Sequence, residues 1–491
     1  MERMPTDFNG DVCLLERVGS VMVNKTTVER DAYGIARFTT EYKTNEQRRQ
    51  EGKSLREKVP RESQAEFETA SDRTDPVKVI KKSSEGRLEH LIPIRYGRMS
   101  KSAFAFYRGT ASLMAMDLAH TPTSNIRVQA CGDCHLSNFG LFATPERNLI
   151  FDINDFDETL PAPFEWDVKR LATSFYVAAL DNKFSAKDCK TITRTCVQAY
   201  REAVANFSTM KVLDVWYAKL DIDTLLKNAP DAEAKRNRER IADEARAHIA
   251  DYVFPKITQI IEGRRFIVDQ LPLVYHPPPE EHVPEKMLDA FQQYRETLPY
   301  ERRVPLDRYH IEDVAYKVVG VGSVGTRCGI LLMMAEDNDP LLLQVKEANP
   351  SVLEPYAGKS EFKQFKHNGE RVVVGQRLMQ SASDMLLGWA IGKEKRQFYF
   401  RQLRDMKFSL DISGSTPLQL SRYAGICGWT LARAHARSGD ASMISGYIGK
   451  SDVFDRAIGT FAQHYADQTK KDYELFLTAI ESGEIKADKE K

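Results

Sequence analysis

The stretch Cys131-Gly132-Asp133-Cys134-His135-Leu136-Ser137-Asn138, with Leu149-Ile150-Phe151-Asp152-Ile153-Asn154-Asp155-Phe156-Asp157-Glu158 soon after it, decides how this chain is read. Its first five residues match Cys-x-x-Cys-His, the c-type haem attachment pattern. Haem attachment usually needs export, and Met1 to Val23 shows no basic stretch leading into an apolar run. No second Cys/His pair stands close enough for a zinc site. A thioredoxin-like redox pair would need a different strand–helix context. The better reading centres on Asp133, His135 and Asn138. An Asp followed five residues later by an Asn is the spacing of a phosphotransfer catalytic loop. The Asp orients the attacking hydroxyl and accepts its proton, and the Asn reaches a Mg²⁺ on the nucleotide phosphates. His135 would support that loop or touch substrate. Taken alone, the spacing also fits a polar loop capped by its own side chains.

The second stretch is a hydrophobic strand ending in carboxylates, where kinase-type enzymes place a further metal ligand. Side chains alternate along a strand, so Asp152 and Asp155 face opposite sides. Asp155 sits in Asp-Phe-Asp, close to Asp-Phe-Gly, and is the first choice, with Asp152 and Asp157 in reserve. A third feature is Gly320-Val321-Gly322-Ser323-Val324-Gly325-Thr326. A dinucleotide fold would follow such glycines with a helix. Here Gly329 to Met334 reads as a strand, Asp337-Asn338-Asp339-Pro340 as a turn, and Leu341 to Ala348 as another strand. Strand, glycine loop, strand, turn, strand is the order of a kinase small lobe. Gly320, Gly322, Ser323 and Gly325 would then cradle phosphates, and Lys346 would grip them. Glu347 points away from Lys346 by alternation, so an ion-pair partner is expected from the next helix. Glu370 is the first choice, then Glu361 and Glu354. By itself Lys346 reads equally as a snorkelling surface lysine.

The chain has 491 residues, of which 42% are hydrophobic and 29% charged, the balance of a folded soluble protein. Lys plus Arg and Asp plus Glu each number 70, so neither nucleic acid nor an anionic membrane is an expected partner. Seven sparse cysteines fit reduced thiols and a cytoplasmic location. Between Glu41 and His90, 12 basic and 11 acidic residues mark residues 1–90 as a charged arm or exposed helices packed on the body. Phe104 to Ala119 reads as helical, and Lys187 to Ile261 as mostly helical. Residues 91–275 form a catalytic-loop and helical segment. Residues 276–304, opening on His276-Pro277-Pro278-Pro279, form a linker and helix. Residues 305–405 are the glycine-loop β segment, and 406–491 are closing helices.

In a protein kinase the glycine loop and lysine precede the catalytic loop; here they follow it. Leu431-Ala432-Arg433-Ala434-His435-Ala436 resembles the helix that runs into the catalytic loop of aminoglycoside-phosphotransferase-like enzymes, and it lies near the C-terminus. A cut between that helix and the loop restores a consistent cyclic order. The runs Ile92 to Met99, Phe104 to Gly109, Cys131 to Gly140, Phe151 to Arg170, Val319 to Lys346 and Leu431 to Asp440 resemble the DUF2252 family of bacterial proteins. That resemblance implies a bacterial source and an α+β, protein-kinase-like, two-lobed fold in circularly permuted order. Similarity to small-molecule kinases rests on Gly132, Asp133, His135, Asn138 and Asp155, and on Glu165-Trp166-Asp167, which resembles a buried Asp following the metal site. Cys131 stands where that pattern often has His. Asp157 stands where protein kinases have Gly, which argues against activation-loop behaviour. The expected function is phosphotransfer using ATP or another purine nucleotide and Mg²⁺, toward an unidentified hydroxyl acceptor. The alternatives are nucleotidyl transfer at the same site or a non-catalytic nucleotide-binding scaffold.

Overall fold

Charge without large apolar residues predicts helices held at a surface, and the N-terminal segment is built that way. The computed structural model describes residues 25–30, 36–247, 250–336, 339–358, 365–403, 408 and 411–488. Met1–Val23, Asp337-Asn338 and Glu361 lie outside them. A ribbon of β1 (Lys25–Arg30) and β2 (Ala36–Glu41) is followed by the helices Asn45–Ser54 and Pro76–Lys82. Thr44 caps the first in a capping box with Gln47, and Asp75 caps the second. The segment is seated on the body: Gln64 is buried and bonds the Tyr447 hydroxyl at 2.9 Å. Arg73 bridges Asp117 and Asp472, each at 2.7 Å.

Phe104 to Ala119 is helical as expected, in two pieces, Ala103–Arg108 and Ala111–Leu118. The break falls at Gly109, whose carbonyl is taken by Arg95 at 3.0 Å and whose missing Cβ leaves room for Met99. Strand β3 (Arg127–Ala130) pairs antiparallel with β6 (Leu160–Pro163), and between them β4 (Phe139–Ala143) pairs with β5 (Leu149–Ile153). The loop 131–138 leaves β3, and the acidic loop 154–159 leaves β5. Both rest on a helical body. Its main helices are Phe164–Asp181, Ala186–Phe207, Pro417–Ser438 and Val453–Glu481. Val168, Leu171, Phe175 and Ala179, predicted as one apolar face, all lie in this core.

The helical reading to Ile261 stops short. Helix ends at Ile257, and β7 (Thr258–Ile261) turns into β8 (Arg264–Ile267). Glu262 and Gly263 both have positive φ, the conformation a two-residue hairpin turn requires. The remaining strands form one antiparallel six-stranded sheet. They are β9 (Val274–Tyr275), β10 (His310–Lys317), β11 (Cys328–Met334), β12 (Pro340–Glu347), β13 (Gly388–Ile391) and β14 (Gln397–Gln402), in the order β13-β14-β12-β11-β10-β9. The apolar runs of β11 and β12 are continuous because both faces are covered. Leu331, Met333, Leu343 and Val345 meet Tyr294 of the helix Val283–Thr297. Ile330, Leu332 and Leu342 meet Phe254, Ile267 and Val274. The sheet body therefore reaches back beyond the triple-proline run, since residues before position 276 already pack on it. No helix among the described residues is long and apolar enough to cross a membrane.

His276 fastens this junction. Its ring bonds Asp269 at 2.7 Å and Asp313 of β10 at 3.0 Å. The bond to Asp313, offset in part by burial, raises its pKa to about 9. A raised histidine pKa contributes stability that is complete below the unfolded value and lost as pH rises through the folded one. Urea unfolding of wild type and His276→Gln should therefore differ most near pH 6, with the gap narrowing through pH 9.

Candidate active site

The loop after β3 needs a glycine. Gly132 has φ +84°, and a Cβ there would lie 2.3 Å from the Glu158 carbonyl. The loop's backbone is then fixed from elements distant in sequence. Asp167, near the start of the Phe164–Asp181 helix, accepts from the amides of Cys131 (2.6 Å) and Gly132 (3.0 Å). His435 holds the same carboxylate at 3.2 Å and the Tyr200 hydroxyl at 2.8 Å. Tyr423 donates to the carbonyl of Leu136, and Asn138 closes the loop by donating its amide to the Asp133 carbonyl at 2.6 Å. That bond uses the Asn138 nitrogen and leaves its Oδ1 outside it.

Asp133 is clasped rather than free. Its Oδ1 takes both Nε (2.7 Å) and Nη2 (2.5 Å) of the buried Arg170. His135 Nε2 lies 3.8 Å from Asp133 Oδ2, and its Nδ1 is buried with no hydrogen-bond partner. Burial pushes the His135 pKa down to about 3, so the ring is neutral. Burial also pushes the Cys134 thiol well up, a protonated state unsuited to metal binding or nucleophilic attack.

The carboxylates of the second loop divide by strand alternation. Asp152 has no exposed surface; it pairs with Arg433 at 2.5 Å and accepts from the Ser381 amide and hydroxyl at 2.8 Å. Asp155 and Asp157 face a cleft of about 350 Å³ instead. Lys346, 2% exposed, places Nζ 2.5 Å from Asp157 and 3.8 Å from Asp155. The Tyr399 hydroxyl, from the neighbouring strand, donates to the other Asp157 oxygen at 2.6 Å. Burial alone would favour a neutral lysine, but Asp155 and Asp157 outweigh it and hold the ammonium charged.

The partner expected for Lys346 is thereby corrected. Glu370 does not pair with it; the carboxylates come from the acidic loop. Successive helical side chains differ by about 100° in direction. In the helix Asn368–Met379 it is Arg371, not Glu370, that is buried against this loop. Arg371 donates to the carbonyls of Thr159 (2.6 Å), Asp157 (2.9 Å) and Asn349 (2.7 Å). Glu354 Oε1 instead accepts from the Ser351 amide. Glu347, turned away as expected, pairs with Arg396 at 2.9 Å.

Asp133, His135, Asn138, Asp155, Gly320, Gly322 and Ser323 all line that one cleft. Gly325 is not among its lining residues; its φ of +87° and its carbonyl, taken by the Leu88 amide at 2.7 Å, shape the turn. Arg87 donates to the carbonyls of Gly322 (2.7 Å) and Val324 (2.6 Å), and Arg98 to that of Gly320 (2.5 Å). The cleft wall also carries Arg87, Arg95 and Arg108, which motif spacing did not single out. Among the described residues no group of three His, Cys, Asp or Glu is placed to hold a metal by itself.

Residues 87–479 match the family described as "Uncharacterized protein conserved in bacteria (DUF2252)", and the chain belongs to that family. No curated protein and no solved structure matches the chain.

Arg433→Leu should strand Asp152 as a buried anion and lower unfolding free energy by about 3–5 kcal/mol. Adding Asp152→Asn should restore most of that loss in the same denaturant titration.

Proposed function

We propose that the chain is an ATP- and Mg²⁺-dependent phosphotransferase whose protein-kinase-like lobes are written in circularly permuted order. The observation that carries this reading is the pairing of buried Lys346 with Asp155 and Asp157, which line one cleft with Asp133 and Asn138. Some two hundred residues separate the lysine from these groups, yet they assemble as a phosphotransfer site requires. The chain order supports it too. A glycine turn joins β10 to β11, the lysine comes late on β12, and a helix precedes β13 and β14. Permutation finds support at Gly439, which ends the Pro417–Ser438 helix. A Cβ there would lie 2.6 Å from Val128 and 3.1 Å from the Arg127 carbonyl. The helix thus stops against the strand that feeds the catalytic loop, where the unpermuted chain would run on.

In this reading Asn138 Oδ1 and Asp155 hold the metal. Two protein oxygens with the rest supplied by phosphate and water suit Mg²⁺, and the absence of a three-carboxylate cluster among the described residues is consistent with it. Bound Mg²⁺-nucleotide would supply the transferable phosphoryl group and neutralise its charge. Asp133 orients the acceptor hydroxyl and takes its proton. Its Arg170 clasp fixes the carboxylate's orientation, and a loose phosphoryl-transfer transition state needs little proton transfer early. Lys346 draws on phosphate oxygens from the acid edge of the cleft, and lobe closure excludes water. The acceptor is a small hydroxylated molecule or a protein. The same clasp on Asp133 is the observation that favours the second reading, a nucleotide-binding scaffold without transfer.

Thermal unfolding with ATP, with and without Mg²⁺, tests the proposal. Wild type near saturation should gain about 2–3 kcal/mol. Asp155→Ala should lose the metal-dependent part, and Asp133→Asn should keep binding while losing label transfer. No shift with any purine nucleotide would sink the reading.

A further inference from the structure

The cations at and just behind this cleft divide by whether a carboxylate is paired with them. Arg170 has Asp133, Lys346 has Asp157, and Arg396 has Glu347. Arg87, Arg95 and Arg108 line the same cleft, and none of them makes an ion pair with a carboxylate among the described residues. Arg95 is 1% exposed; its forks reach only Ser84, Ser83 and the Gly109 carbonyl, and its Nε has no partner. Arg87 donates only to carbonyls, those of Ser83, Gly322 and Val324. Among the described residues the Arg108 side chain makes no hydrogen bond, and its Nε is buried. The carboxylate that acts on it, Asp133, is already taken by Arg170. Burial, and then the neighbouring Arg87, pull the Arg95 pKa down to about 9.

We propose that Arg87, Arg95 and Arg108 form a binding cradle for a phosphoryl group, on the cleft wall between the glycine turn and the Ala103–Arg108 helix. A planar guanidinium offers paired donors matched to tetrahedral oxyanions, and three around one cavity suit a multiply charged phosphate. The location fits: the Arg108 carbonyl lies 3.3 Å from where a Gly322 Cβ would be, so the cradle abuts the glycine turn. His135, neutral and with a free Nδ1, adds a hydrogen-bonding group without opposing charge. The cradle goes beyond the transfer reading; only its assignment to donor or acceptor rests on that reading. The phosphate belongs either to the nucleotide's own chain or to a phosphorylated second substrate.

Calorimetric titration of the full chain with sodium pyrophosphate, in EDTA at fixed ionic strength, tests this. Wild type should bind, and Arg108→Gln should bind roughly ten- to hundred-fold more weakly. Arg108→Lys, which keeps the charge but loses the fork, should fall between them. Because Arg108 makes no hydrogen bond among the described residues, neither variant should lower the unfolding midpoint. Repeating the titrations with Mg-ATP separates the sources. A parallel loss places the nucleotide's phosphates in the cradle; unchanged ATP affinity assigns it to a phosphate-bearing second substrate. Absent pyrophosphate binding in wild type, or equal binding in Arg108→Gln, overturns the cradle. EDTA makes this result independent of the Asp155→Ala test.

Discussion

A lysine ammonium at 2% exposure must have counter-charge or lose its proton, and Lys346 keeps its proton through two aspartates from another part of the chain. That pair joins β12, the centre of the sheet, to the loop leaving β5. The rest of the site is arranged around this join. Tyr399 takes the second oxygen of Asp157, so the carboxylate cannot swing away. Arg371 takes the loop's carbonyls, so its backbone cannot follow the lysine out. Any ligand that draws on Lys346 must compete with Asp157, so the lysine is first of all a structural tie.

The catalytic-type loop is held by a separate set of ties, from helices. Asp167 binds two consecutive amides, and His435 with Tyr200 fixes Asp167. Asp152 with Arg433 pins the strand that carries the acidic loop to the Pro417–Ser438 helix. These bonds span up to nearly three hundred residues and end on backbone or on fully buried carboxylates. The two loops are thus positioned by opposite halves of the molecule: one by the helical body, the other by body and sheet together.

How much of this the sequence showed depended on whether the signal was local. The glycine turn between strands, the lysine late on β12 and the split of Asp152 from Asp155 follow from alternation and turn chemistry over a few residues. The choice of Glu370 failed because helical phase is not visible without knowing which face meets the loop; Arg371, one residue on, holds that face. The hairpin at Thr258–Ile261 was hidden by a charged helical stretch, with Glu262-Gly263 the only cue. Arg87, Arg95 and Arg108 could not be found by motif spacing. They come from a turn and two short helices, and only folding brings them to one wall.

The zero net charge takes on a different meaning in this light. Seventy positive and seventy negative side chains argue against a surface that gathers polyanions at long range. They say nothing of a cavity, where desolvation makes each unpaired charge count far more than its share of the total. In this cleft Asp133, Asp157 and Glu347 are ion-paired, while Arg87, Arg95 and Arg108 have no paired carboxylate among the described residues. Recognition would then come at short range, through forked donors and metal, and depend less on ionic strength than for a basic surface.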